Sequence, residues 1–162
     1  MAGSATPVAG NARPVATNQR LLPISRSTVW KTLADGHAYA GWVVGTTAIR
    51  AVDAGWPKPG SRLHYTVGRR PLRHQGHTEV LAVDDGRRLE LEAHAWPAGS
   101  VRIDIQLEDD GTGCQVTLVE HPHRGVAAAL HNPVGDLLLK LRNVEALRRL
   151  ERLAHSRPPS GQ

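Results

Sequence analysis

Residues 134–154 read VGDLLLKLRNVEALRRLERLA, and the way they distribute around a helix decides the fold. Past Gly135 the run contains neither Gly nor Pro, and nearly every residue in it is a good helix former. On a helical projection Leu139, Ala146, Leu147, Leu150 and Leu153 share one face. Arg142, Glu145, Arg148, Arg149 and Arg152 spread over the other side, with Glu145 and Arg149 at the i,i+4 spacing that supports a helix surface. Asn143 falls in the middle of the apolar face. A helix of about 20 residues is roughly 30 Å long, enough to cross a small domain, and its apolar stripe must lie on another layer.

Working outward, that layer is a sheet. Immediately upstream, Gly125 and Pro133 bracket a short apolar turn, RGVAAALHNPVG, and Pro133 bars a straight helical continuation through Asn132. Before it come runs with a two-residue period: TTAIRAVD, SRLHYTVG, HTEVLAVD, RLELEAHAW, SVRIDIQLE and CQVTLVEH, the last ending at Pro122. Short turns such as Asp84-Asp85-Gly86 and Asp109-Asp110-Gly111-Thr112-Gly113 join them, so neighbours should pair antiparallel. Leu89, Leu91, Ala93 and Ala95 alternate with Glu90 and Glu92. Val101, Ile103, Ile105 and Leu107 alternate with Arg102, Asp104, Gln106 and Glu108. One face is therefore covered and the other wet. Further upstream, Ser25 caps a short helix, SRSTVWKTLAD, closed by Gly36, and HAYAGWV makes a second short helical turn. A first strand is expected within residues 14–22.

The order is strand, two short helices, six strands and a long helix: an α+β fold in one domain over residues 14–154. Residues 1–13, MAGSATPVAGNAR, read as a disordered arm and residues 155–162 as a flexible tail.

Composition narrows the function by exclusion. The formal net charge is +5, and 17 of the 20 basic residues are Arg, but they are scattered along the sequence rather than massed in the patch a nucleic-acid footprint requires. Cys114 is the single cysteine, which rules out an intrachain disulfide and suits a reducing, cytoplasmic compartment. No stretch approaches the ~20 apolar residues of a membrane span, and the N-terminus lacks the pattern of a secretory signal. The nine His include the pairs His74/His77 and His121/His123, neither with a Cys or carboxylate at zinc-motif spacing, and Pro122 between the second pair favours a turn there. Phosphate-binding and serine-hydrolase motifs are absent from the sequence. No metal or cofactor is expected.

The layout and wording of four segments resemble the START-like helix-grip superfamily (SRPBCC), and within it the polyketide cyclase/dehydrase and lipid-transport-like group. The segments are PISRSTVWKTLADGHAYAGWVVG, PGSRLHYTVG, VTLVEHPHRG and NPVGDLLLKLRNVEALRRLERLA. The resemblance implies a curved antiparallel sheet of about seven strands wrapped around the C-terminal helix, with a cavity between them. It implies a small hydrophobic ligand such as a lipid or polyketide. It also implies that Val126, Leu130 and Leu137 flank a cavity entrance. A minority of such proteins catalyse cyclisation, dehydration or hydrolysis, so a fold of this kind does not fix a function.

The candidate polar residues follow from alternation. Val116, Leu118 and Glu120 form the inward set of QVTLVEH, so Glu120 is either a general acid or base near the cavity or a strand-end carboxylate paired with an Arg. Asn143 needs hydrogen-bond partners on the apolar face of its helix, from a ligand or from backbone. Arg142 beside it either pairs with Glu120 or a ligand carboxylate, or is a solvated flank. Leu63, Tyr65 and Val67 face inward, giving Tyr65 a polar tip in an apolar setting. Trp42, Trp56 and Trp96 are candidates for a cavity wall or mouth, with plain packing as the reading each must displace. The leading expectation is a binding protein for a small apolar molecule. The alternative is a polyketide cyclase or dehydratase that uses Glu120 or Tyr65 as acid/base. No nucleic-acid partner and no membrane insertion are expected, and a homo-oligomer remains open.

Overall fold

The structure, a computed structural model, describes residues 16–95, 99–124 and 133–158. Strand β1 (Ala16–Leu22) leads to helix α1 (Arg26–Leu33), a 3-10 turn (Gly36–Ala38) and helix α2 (Tyr39–Trp42). Six strands follow: β2 (Thr46–Val52), β3 (Arg62–Val67), β4 (His74–Asp84), β5 (Arg88–Ala95), β6 (Gly99–Asp109) and β7 (Cys114–Arg124). Helix α3 (Pro133–His155) ends the described chain apart from a short extension. Pro133 stands at the first position of α3, where its missing N–H costs no hydrogen bond. Ser25 caps α1 as expected, accepting from the Thr28 N–H at 3.3 Å.

The sheet is antiparallel throughout, in the order β1-β7-β6-β5-β4-β3-β2. β2 to β7 form a meander, and β1 closes the sheet by pairing with β7, Ala16 opposite Glu120 and Leu22 opposite Cys114. Register shifts in β2/β3, β4/β5 and β6/β7 bend the strands. α3 lies across the molecule against β1, α1 and α2. Its buried face is Asn143, Ala146, Leu147, Leu150 and Ala154, and the core continues through Leu63, Val80, Leu91, Ile105, Val116 and Leu118 on the sheet.

β7 does not stop before Pro122 but runs on to Arg124. The reason is positional. Pro122 lies opposite Val101, where the register between β6 and β7 shifts, and a residue without an N–H is tolerated at such an irregularity. His121 therefore lies on a strand rather than in a turn. In the stretch expected to form the tail, Arg157 is tied to Asp35 by an ion pair of 2.5 Å. Burial opposes the charge on Asp35, but the Arg157 guanidinium outweighs it and lowers the carboxyl pKa.

Candidate functional site

Alternation along β7 turns Val116, Leu118 and Glu120 to the covered face, and the register sets Glu120 between Ile103 on β6 and Ala16 on β1. A carboxylate in such a row must find a partner or carry a heavy desolvation cost. Arg142, one residue before Asn143 on α3, supplies it. Arg142 Nη2 donates to Glu120 Oε1 at 2.5 Å and approaches Asn143 Oδ1 at 3.4 Å. The Glu120 side chain is 3% exposed and that of Arg142 45%, so the guanidinium reaches from the solvent edge of α3 down onto a buried carboxylate.

The pairing is incomplete. Glu120 Oε2 and Asn143 Nδ2 are both buried and have no hydrogen-bond partner among the described residues. One is an acceptor and the other a donor, and the Arg142 guanidinium contacts the other polar atom of each side chain, Glu120 Oε1 and Asn143 Oδ1.

Two phenols face the same interior. Tyr65 stands opposite Gly76 on β4, where a Cβ would lie 2.8 Å from the Tyr65 ring and 2.5 Å from the His94 carbonyl, so only Gly leaves room for the ring. The Tyr65 hydroxyl donates to the His94 carbonyl at 3.4 Å. Tyr39, on α2, is buried and meets Trp42 edge-on at 4.9 Å and Trp56 at 6.3 Å. Burial raises the pKa of Tyr39, with Tyr65 adding to it, Thr78 opposing, Glu120 adding and Arg142 opposing. Burial likewise raises that of Tyr65 against the pull of Thr78 and Arg142. Thr78 thus lies beside both phenols, although its buried Oγ1 meets hydrogen-bond geometry with neither. Both phenols are kept protonated at neutral pH, which makes them donors rather than bases.

Of the residues singled out in the sequence, Glu120, Arg142 and Asn143 meet directly, and Tyr65, on β3, faces the same interior. Trp42 packs in the core, with its Nε1 buried and without a partner among the described residues, and Trp56 is half-buried against Tyr39. Trp96, Val126 and Leu130 lie outside the described residues, as does the side chain of Leu137. Sequence reasoning missed Tyr39 and Thr78. The signal for Thr78 was available: it precedes Val80 by two in HTEVLAVD and so shares its inward face. Tyr39 and Trp42 are three apart, which puts them on one side of α2.

The histidines occupy the opposite surface. His64, His77 and His94 form one row across β3, β4 and β5, His77 stacked on His94 at 4.6 Å and tilted against His64 at 5.9 Å. Burial lowers the His77 pKa, assisted by His94, Arg62 and His64 and opposed by Glu79. Among the described residues no group of three or more His, Cys, Asp or Glu could hold a metal ion.

A seven-stranded antiparallel sheet that pairs its first and last strands and packs a long C-terminal helix defines a START-like helix-grip protein. The chain belongs to the polyketide cyclase/dehydrase and lipid transport family, whose model matches residues 13–155. Among curated proteins none is significantly similar in sequence. Solved structures share the fold. Protein CV1439 from Chromobacterium violaceum is 17% identical with a TM-score of 0.67, over 88% of this chain and 98% of its own. Ara h 8.0201 is 14% identical with a TM-score of 0.70, over 88% and 97%. DynU16, from the dynemicin biosynthetic locus, is 16% identical with a TM-score of 0.66, over 87% of this chain and 47% of its own.

Proposed function

We propose that this protein binds a small apolar molecule, a lipid or a polyketide, between the sheet and α3, and that Glu120, Arg142 and Asn143 receive its polar end. The observation that carries this reading is the pair of buried atoms without a partner among the described residues, Glu120 Oε2 and Asn143 Nδ2, beside an ion pair buried on its carboxylate side. Each unsatisfied buried polar group costs about 1–3 kcal/mol. A ligand hydroxyl donating to Oε2 and a ligand carbonyl accepting from Nδ2 would remove that cost. Leu118, Ile103 and the Tyr65 ring supply apolar wall nearby. The family supports the ligand class, and the single buried Cys114 suits a cytoplasmic setting.

Native mass spectrometry of the protein purified from its own host, followed by organic extraction, tests the reading. A reproducible co-purifying apolar molecule with at least one polar oxygen is expected. A protein that carries none, and that takes up no lipid or aromatic polyketide when these are added, contradicts it.

One observation favours a catalytic version, a cyclase or dehydratase. Arg142 fixes Glu120 through Oε1 alone and leaves Oε2 bare, as a positioned acid/base requires. Tyr65, kept protonated by its raised pKa, would hold a substrate oxygen by hydrogen bonding. On this version Glu120→Gln abolishes turnover of a bound polyketide while leaving its binding within a few fold. Turnover that survives the substitution rejects Glu120 as the catalytic group.

A further inference from the structure

The arginines of this chain are not all alike in their surroundings. Arg20, Arg26, Arg62, Arg88, Arg142 and Arg149 each hold a carboxylate. Arg69, Arg70 and Arg73, in the β3–β4 connection GRRPLRH, are exposed and form no ion pair or hydrogen bond with a described residue. No Asp or Glu occurs between Asp53 and Glu79, so the connection sits in an acid-free stretch of sequence. Among these arginines Leu72 is 72% exposed, the most exposed large hydrophobic residue described.

The connection is built to hold this arrangement. Gly68 has φ +79°, and a Cβ there would lie 2.2 Å from the Leu72 carbonyl oxygen, so the backbone folds tightly back on itself. The Gly68 N–H also donates to the Gly45 carbonyl at 3.0 Å, which ties the base of the turn to the start of β2. The Leu72 side chain is left exposed in a stretch whose other exposed side chains include Arg69, Arg70 and Arg73.

We propose that this hairpin tip, Gly68–His74, docks the protein peripherally on an anionic phospholipid bilayer. Arg69, Arg70 and Arg73 sit on the lipid phosphates, which guanidinium groups match in geometry and charge. Leu72 enters the boundary between headgroups and acyl chains. The exposed aliphatic tip favours a bilayer over nucleic acid, since single-strand sites interleave their cations with aromatic stacking platforms and this connection has none. The contact is peripheral, and no helix among the described residues is long and apolar enough to cross a membrane. It does not depend on the ligand-binding reading. If both hold, the end of the covered face bearing Tyr65, two residues before Val67, faces the lipid.

The test is flotation of the full-length protein with phosphatidylcholine vesicles, with and without phosphatidylglycerol, at low and high salt. The protein is expected to float with the anionic vesicles only, and to lose them at high salt. An arginine near an anionic surface is worth about fivefold in partitioning, so the combined Arg69→Ala, Arg70→Ala and Arg73→Ala variant should bind about a hundredfold more weakly. Leu72→Ser should weaken binding a few fold, and Arg148→Ala, on the exposed side of α3, should leave it unchanged. Equal binding of neutral and anionic vesicles, or wild-type binding by the folded triple variant, overturns the proposal. So does tight binding of nucleic acid that is lost in the triple variant and indifferent to Leu72→Ser, with no vesicle binding at all.

Discussion

At the scale of single residues, the Glu120–Arg142 contact is one-sided in burial, and that sets the cost of breaking it. Arg142→Met leaves a buried carboxylate with no cation. The loss should be about 2 kcal/mol, below the roughly 3–5 kcal/mol of fully buried pairs because Arg142 is half in water. Urea unfolding checks it, and Glu120→Gln combined with Arg142→Met should recover most of the loss. Alkaline pH acts on other residues. Burial, with Asp109 adding, pushes the Cys114 thiol up to about 11, and the Tyr39 and Tyr65 phenols are raised from 10.0. A pKa raised on folding means the folded state keeps protons that the unfolded chain releases. The stability these groups contribute is therefore complete below pH 9 and falls as pH rises past the unfolded values, Cys114 first and the phenols after it. Unfolding midpoints measured from pH 8 to 11 should decline, and Cys114→Ala should flatten the first part of the decline. A midpoint constant over that range would show that these groups ionise alike in both states.

At the scale of elements, what was legible in the sequence was whatever a period announces. The three- and four-residue spacing of Ala146, Leu147 and Leu150 marks one face of α3, and all three are buried. The two-residue period of QVTLVEH places Glu120 inward. Period says nothing of reach, however. Arg142 belongs to the polar side of α3 by its angle, yet its long side chain bends back to a buried carboxylate. Pro122 was misread because its compatibility with β7 depends on the register shift against Ser100 and Val101 of β6, a fact held by another segment. Tyr39 was missed because α2 is four residues long, too short for a pattern to stand out. The exposed tip at Leu72 was visible only as a turn, since the sequence does not tell which arginines find carboxylates. Two substitutions probe the elements that frame the site. Leu150→Ala removes a fully buried contact of α3 and should cost about 2–5 kcal/mol in thermal or urea unfolding. Gly76→Val must displace the Tyr65 ring or the β5 backbone and should cost about 1–3 kcal/mol. It should also move the Tyr65 ring resonances, which Leu150→Ala leaves in place.

At the scale of the whole molecule, the covered face of the sheet holds the polar cluster and the wet face holds the histidine row and the charged ladders. A ligand that belongs to this fold should touch only the first. The most direct measurement is a two-dimensional amide NMR titration of the full chain with the apolar probe 1-anilinonaphthalene-8-sulfonate. Shifts are expected at Leu118, Glu120 and Tyr65 and in the side-chain amide of Asn143, whose Nδ2 has no partner among the described residues. Asn143→Leu is expected to weaken the probe without unfolding the chain. Shifts confined to His64, His77 and His94 or to the Gly68–His74 tip, with the Asn143 amide unmoved, would contradict a site on the covered face.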